Sequence, residues 1–125
     1  MGRAVARAGA DPGTVAGSQE KLEFCARYGA DHVVNYRTDD LTARIAEITD
    51  GCGVDLIYDP IGGDTAATAL KSIARNGRIA MIGLASGSAL SLDSMDMLLR
   101  NYTAVGVLAT PNDAPERRLP CGAIW

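Results

Sequence analysis

Short aliphatic runs alternate along the chain with amphipathic segments, and this alternation predicts the fold. The predicted strands cover residues 14–16, 32–36, 54–58, 78–82 and 103–108. The predicted helices cover residues 1–8, 19–28, a segment capped by Thr38 and ended by Gly51, 64–74 and 93–100. Strands that alternate with helices favour a parallel sheet covered on both faces, and right-handed crossovers make such a sheet doubly wound.

The composition fits one α/β domain. The chain has 125 residues, of which 47% are hydrophobic and 22% are charged, so it has enough apolar side chains to bury a core. Aromatic residues make up 5%, which predicts an aliphatic core of the kind found in parallel sheets. We predict a partial domain over residues 1–108. An irregular tail follows over residues 109–125, where three prolines interrupt any periodicity.

Charge and cysteine usage exclude several classes of function. The net charge is −3 and no basic run occurs, so no nucleic acid is expected as a partner. No apolar stretch approaches the roughly 18 residues of a membrane span, and no signal sequence is present. The cysteines Cys25, Cys52 and Cys121 are far apart, which indicates reduced thiols in a cytoplasmic protein and no metal site. His32, the single histidine, is interpreted as a polar residue at the start of a strand.

The segment that follows the first predicted strand carries the strongest local signal. In an NAD site an acidic residue usually ends this strand and accepts from the ribose 2′-hydroxyl, but here Gly17 and Ser18 follow the strand. Ser18 begins a helix, whose free N–H groups favour an anion, and Lys21 adds a positive charge one turn later. This pattern suits the 2′-phosphate of NADPH. The alternative interpretation is a plain N-cap serine and a solvated lysine.

A second signal follows the strand over residues 54–58. Pro60 ends that strand, and Gly62 and Gly63 open the chain before the next helix. This segment either lines a dinucleotide cleft or is an ordinary strand-to-helix turn. The sequence has neither a complete G-x-G-x-x-G nor a P-loop, so motif alone does not predict nucleotide binding.

Four phrases, in order, resemble one family. They are GSQEK at 17–21, CARYGADHVVNYR at 25–37, GVDLIYDPIGGD at 53–64 and NGRIAMIG at 76–83. Together they resemble the cofactor domain of zinc-independent medium-chain dehydrogenases/reductases, and within it the NADPH-dependent quinone oxidoreductases. The resemblance covers about residues 9–108.

The resemblance implies an enzyme that transfers a hydride from NADPH to a quinone or an activated enone. It implies that the adenosine 2′-phosphate and the adenine are bound by Gly17, Ser18, Lys21 and Tyr36. It also implies that the nicotinamide half of the cofactor lies along Asp59, Pro60, Ile61, Gly62, Ile82 and Gly83. No catalytic side chain and no metal are expected, because the cofactor performs the chemistry. A homodimer through the last strand, residues 103–108, is implied as well.

The departures from the family pattern limit these expectations. The family's first strand and its alanine-glycine loop, which holds the pyrophosphate, have no counterpart in this sequence, and neither has the family's catalytic domain. The fold class is therefore a partial Rossmann-like doubly wound parallel sheet that lacks its first strand. Since this strand lies mid-sheet, we predict weak or no catalysis from this chain alone. The alternatives are a nucleotide-binding module without chemistry and a non-functional truncated remnant.

Overall fold

The structure is a computed structural model that describes residues 12–108. Strands and helices alternate strictly over these residues. The elements in chain order are β1 (Gly13–Ala16), α1 (Gln19–Arg27), β2 (His32–Asn35), α2 (Leu41–Ile48), β3 (Val54–Asp59), α3 (Gly63–Leu70), β4 (Ile73–Met81), α4 (Ser94–Arg100) and β5 (Thr103–Gly106). This order confirms the predicted α/β class. The predicted helix over residues 1–8 and the predicted tail over residues 109–125 lie outside the described residues.

The strands form two parallel groups. β1 pairs with β2, and β3, β4 and β5 pair in that order. Within residues 12–108 no strand hydrogen-bonds with both β1 and β3. A doubly wound sheet that lacks a central strand has this arrangement, so the predicted partial Rossmann-like architecture is confirmed.

Helix α2 connects the two groups of strands through the core. One buried cluster consists of Val34, Leu41 and Ile45, and the side chains that pack against it include Val54 of β3 and Ala69 of α3. A second cluster lies under β4 and β5 and consists of Leu70, Ile73, Ile79 and Tyr102. Apolar contact through α2, rather than strand pairing, therefore joins β1 and β2 to the rest of the described residues.

The start of α2 differs from the prediction. Asp40, and not Thr38, is the N-cap, and its carboxylate accepts a hydrogen bond from the Ala43 N–H at 3.0 Å. The preceding residues close into a turn, in which the Asp39 carboxylate accepts from the Asn35 N–H at 3.0 Å. Aspartate and threonine are both good caps, and this turn moves the start of the helix two residues along the chain.

The end of α3 also differs from the prediction. The helix ends at Leu70, and Ile73 already belongs to β4. The Arg100 guanidinium donates to the Leu70 and Ile73 carbonyls at 3.0 and 3.3 Å. This long-range contact satisfies carbonyls that a longer helix would have bonded internally. Gly77 is thus not a helix stop: it lies inside β4, where a side chain would come within 2.9 Å of the Ala74 carbonyl oxygen.

Candidate functional site at the carboxyl ends of the strands

The chain passes from β1 into α1 through Gly17 and Ser18. Ser18 has extended backbone angles, and its hydroxyl oxygen accepts a hydrogen bond from the Lys21 N–H at 3.4 Å. Ser18 is therefore the N-cap, as predicted. The N–H groups that open α1 have no partner inside the helix, and they carry the positive end of the helix dipole. The exposed Lys21 lies in the same first turn.

Two side chains from the end of β2 converge on Gly17. A Cβ atom placed on Gly17 would lie 2.6 Å from the Tyr36 hydroxyl oxygen and 3.0 Å from Nε of Arg37. The Tyr36 N–H donates to the Ala16 carbonyl at 3.2 Å, which ties the end of β2 to the end of β1. A side chain at position 17 would displace these two groups, so glycine is what allows them to lie this close to the chain.

This geometry brings together the first set of predicted residues. Gly17, Ser18 and Tyr36 meet at the ends of β1 and β2, and Lys21 lies one turn into the helix that begins there. The sequence analysis missed Arg37. Arg37 follows Tyr36 directly and ends the phrase at 25–37, but its contact with Gly17 depends on the pairing of β1 with β2.

The second set of predicted residues meets at the ends of β3 and β4. Asp59 is 5% exposed, and its carboxylate accepts from the N–H groups of Ile61 and Gly62 at 2.9 and 3.0 Å. The Ile82 N–H donates to the Asp59 carbonyl at 2.9 Å. A Cβ on Gly83 would lie 2.9 Å from the Pro60 carbonyl oxygen, so the two strand ends are in close contact.

The loop after β4 continues this contact. The N–H groups of Ala85 and Ser86 donate to the carbonyls of Pro60 and Ile61 at 3.1 and 2.9 Å. Gly62 has a φ of 72°, and a Cβ there would come within 2.6 Å of the Ser88 carbonyl oxygen. The segment 59–63, for which the sequence left open a cleft lining or an ordinary strand-to-helix turn, is thus held by backbone hydrogen bonds from the end of β4 and the loop that follows it.

A cavity of about 320 Å³ lies beside Tyr36. Its lining residues are Tyr36, Asp39, Asp40, Leu41, Asp64, Thr65 and Thr68. The three carboxylates in this lining repel a polyanion. Tyr36 therefore has an acidic cavity on one side, whereas its hydroxyl approaches Gly17, near Arg37 and the start of α1.

Other polar features lie elsewhere. A cavity of about 140 Å³ around Cys52 and Ser72 borders the residues that precede β3 and β4, so it is at the amino ends of these strands. A hydrogen bond from Arg100 lowers the pKa of Asp96, and burial raises the pKa of Tyr102. These groups belong to the contact between α4, α3 and β5 rather than to the candidate site.

Residues 12–108 contain neither a membrane-spanning helix nor a cluster of metal-binding side chains. None of the helices there is long and apolar enough to cross a membrane. In the same residues, no three side chains of the metal-binding types histidine, cysteine, aspartate and glutamate come together. His32 is half-buried at the start of β2, as predicted.

Comparison with known proteins places these features in a family context. Residues 2–120 match the family model described as zinc-binding dehydrogenase. Quinone oxidoreductase-like protein 2 of Bos taurus is 36% identical over 92 residues, which are 74% of this chain and 26% of that protein. The chain thus spans about a quarter of the length of the curated relatives that it matches.

Two solved structures show the same fold. The crystal structure of Escherichia coli quinone oxidoreductase complexed with NADPH has a TM-score of 0.72 and 29% identity, and the match covers 79% of this chain and 31% of that one. The structure of an NAD-dependent alcohol dehydrogenase has a TM-score of 0.71 and 31% identity, over 78% of this chain and 29% of that one. Since the two similarities are nearly equal, overall structural likeness does not show whether this chain prefers NADPH or NAD. The cofactor preference must be judged from the side chains of the site.

The name of the family model includes zinc, but the residues that the structure describes do not fit a zinc site. Zinc in proteins is held by three or four ligands of the histidine, cysteine and carboxylate types. Residues 12–108 gather no such group. No chemical step is therefore derived through a metal.

Proposed function

Because the chain belongs to the zinc-binding dehydrogenase family, we propose that it supplies the NADPH-binding part of an oxidoreductase that transfers a hydride to a quinone or an enone. The observation that carries this proposal is the end of β1. There Gly17 and Ser18 replace the acidic residue of an NAD site, and Lys21 follows in the first turn of α1.

The adenosine end of the cofactor binds on the Gly17 side of Tyr36. The 2′-phosphate is an anion, and the first N–H groups of α1 favour an anion at this position. Lys21 adds a charge-assisted hydrogen bond, and the Tyr36 hydroxyl adds a neutral one. An acidic residue in place of Ser18 would repel the phosphate and would accept a hydrogen bond from the ribose 2′-hydroxyl of NADH, so its replacement by serine favours NADPH over NADH.

The nicotinamide half lies along the segment 59–62 together with Ile82 and Gly83. Their backbone groups are already bonded to one another, so this surface is rigid before any ligand binds. When bound, NADPH supplies the hydride. The residues of this chain orient the cofactor, and their apolar surface excludes water.

Three finer points belong to the same proposal. The substrate is a small quinone or enone, and the domain extends over residues 1–108. The protein forms a homodimer through the last strand, which is supported by the unpaired edge of β5 within residues 12–108 and by the exposure of Val105 and Val107. It is located in the cytoplasm, in keeping with the thiols of Cys25 and Cys52, which form no disulfide within residues 12–108.

Thermal unfolding with and without NADPH tests the cofactor assignment. We expect NADPH to raise the unfolding midpoint because it binds only the folded chain. Lys21→Gln should reduce this rise, whereas Lys71→Gln, which changes an exposed lysine at the amino end of β4, should leave it unchanged. An NADPH-independent midpoint in the unmodified chain would reject the assignment.

A second assay tests the reaction itself. NADPH oxidation with a small quinone should be slow for the 125-residue chain, because β1 and β3 share no strand within residues 12–108. Stabilisation by NADPH without any turnover would favour a nucleotide-binding module. Rapid turnover would contradict our expectation of weak catalysis.

A further inference from the structure

We propose that Arg37 is a second cationic residue of the 2′-phosphate subsite and a determinant of the preference for NADPH over NADH. This inference rests on the proposed function, since it concerns the same adenosine end. It adds a residue that the predicted site does not include.

The position of Arg37 is fixed by its backbone and by Gly17. Its N–H donates to the side-chain oxygen of Asn35 at 3.1 Å, within the tight turn that follows β2. Its Nε lies 3.0 Å from the point that a Cβ of Gly17 would occupy. The guanidinium is therefore placed over the link between β1 and α1, where the free N–H groups of the helix begin.

The charges around Arg37 leave it available to an anion. Within residues 12–108 the ion pairs are Arg44 with Glu47 and Arg100 with Asp96, so Arg37 has no acidic partner in the described part. The nearby Asp39 accepts hydrogen bonds from the Asn35 N–H and the Thr38 hydroxyl. Asp39, the acidic residue closest to Arg37 in sequence, is thus already hydrogen-bonded within its own turn.

A second positively charged side chain would offset the repulsion between the nearby carboxylates and a bound phosphate. Three carboxylates line the cavity on the other side of Tyr36, and their field weakens the binding of a dianion nearby. Lys21 contributes a single point charge on a flexible stem. The planar guanidinium of Arg37 can donate two parallel hydrogen bonds to one phosphate group, which matches a phosphate better than an ammonium does.

The test uses two small probes, adenosine 2′,5′-bisphosphate and AMP, which differ by the 2′-phosphate alone. We expect calorimetric titration of the 125-residue chain to show tighter binding of the bisphosphate. Arg37→Gln should weaken bisphosphate binding about tenfold or more and change AMP binding by less than about twofold. Arg37→Lys should restore part of the loss, because it restores the charge without the planar fork.

A matched control is Arg27→Gln, which removes an exposed arginine at the opposite end of α1 and should leave both affinities unchanged. If Arg37→Gln leaves bisphosphate binding unchanged, or weakens both probes equally while the unfolding midpoint is retained, the role of Arg37 is overturned and the NADPH assignment stands. If the unmodified chain does not distinguish the two probes, both proposals fail.

Discussion

The two halves of the candidate site are built by different means. At the ends of β1 and β2, the exposed side chains of Tyr36 and Arg37 approach Gly17, and a serine caps the helix. At the ends of β3 and β4, backbone N–H and carbonyl groups bond to one another, and the carboxylate of Asp59 is buried. The first half can therefore change its side chains with little effect on folding, whereas the second half cannot. We therefore propose that cofactor preference belongs to the first half and rigidity to the second.

The largest effect on stability is expected for Gly62→Ala. A side chain at this φ of 72° is strained, and its Cβ would lie 2.6 Å from the backbone oxygen of Ser88. We expect the free energy of unfolding to fall by about 3 kcal/mol or more, measured by urea denaturation. The control is Gly87→Ala, where φ is 75° but, apart from the adjacent residues, no atom of the described part of the chain lies within 4 Å of the added Cβ. Equal losses in both variants would show that the contact with the loop after β4 does not stabilise the fold.

Asp59→Ala should be the next most damaging change. It removes the acceptor of the Ile61 and Gly62 N–H groups and leaves both without a partner in a buried turn. The expected loss is about 2 kcal/mol in the same denaturation experiment. Asp55→Ala, at an exposed position of the same strand, is the control and should cost much less. Should the two variants prove equally stable, Asp59 would not hold the turn.

Gly17→Ala should separate stability from binding. The added Cβ meets the hydroxyl end of Tyr36 and the side chain of Arg37, and both can swing into solvent. We expect a stability change below about 1 kcal/mol, together with a loss of about tenfold or more in NADPH affinity. In Gly13→Ala the nearest atoms are 3.9 Å away, so binding should be retained. If the Gly17→Ala chain binds NADPH with unchanged affinity, the close approach of Tyr36 and Arg37 to Gly17 is not needed for cofactor binding.

The smallest effect at neutral pH is expected for Tyr102→Phe, away from both halves of the site. Within residues 12–108 the buried hydroxyl of Tyr102 makes no hydrogen bond of good geometry, although Asp96 lies near it, so its removal should change stability by less than about 1 kcal/mol. Burial raises the pKa of Tyr102 above its ordinary value of 10.0. The unfolded chain therefore loses this proton first, and stability falls as the pH rises through about 10.

Urea denaturation at a series of alkaline pH values tests whether stability falls in this way as the pH rises. Tyr102→Phe should reduce the alkaline loss of stability, while Tyr58→Phe, whose side chain is 36% exposed, should retain it. NADPH binding at neutral pH should be the same in both variants. An identical alkaline loss in Tyr102→Phe and the unmodified chain would contradict the assigned burial effect.

Local signals in the sequence predicted much of this arrangement. The carboxyl ends of the five strands, which form the site, lie within two residues of the predicted ends. At its other end, β4 begins five residues before the predicted start. The Ser18 cap depends on neighbours along one helix, and it was predictable for that reason.

Long-range contacts explain what the sequence analysis missed. The end of α3 depends on Arg100, which is about 30 residues later in the chain. The position of Arg37 depends on the register of β1 against β2, and the closure of segment 59–63 depends on the loop after β4. None of these contacts leaves a periodic pattern in the sequence.

The central claim is that the side chains at the ends of β1 and β2 choose NADPH over NADH. Calorimetric titration of the purified chain with each cofactor tests it most directly. Because the two cofactors differ by the 2′-phosphate, we predict that NADPH binds about tenfold or more tightly than NADH. Equal binding, or tighter binding of NADH, would contradict the account.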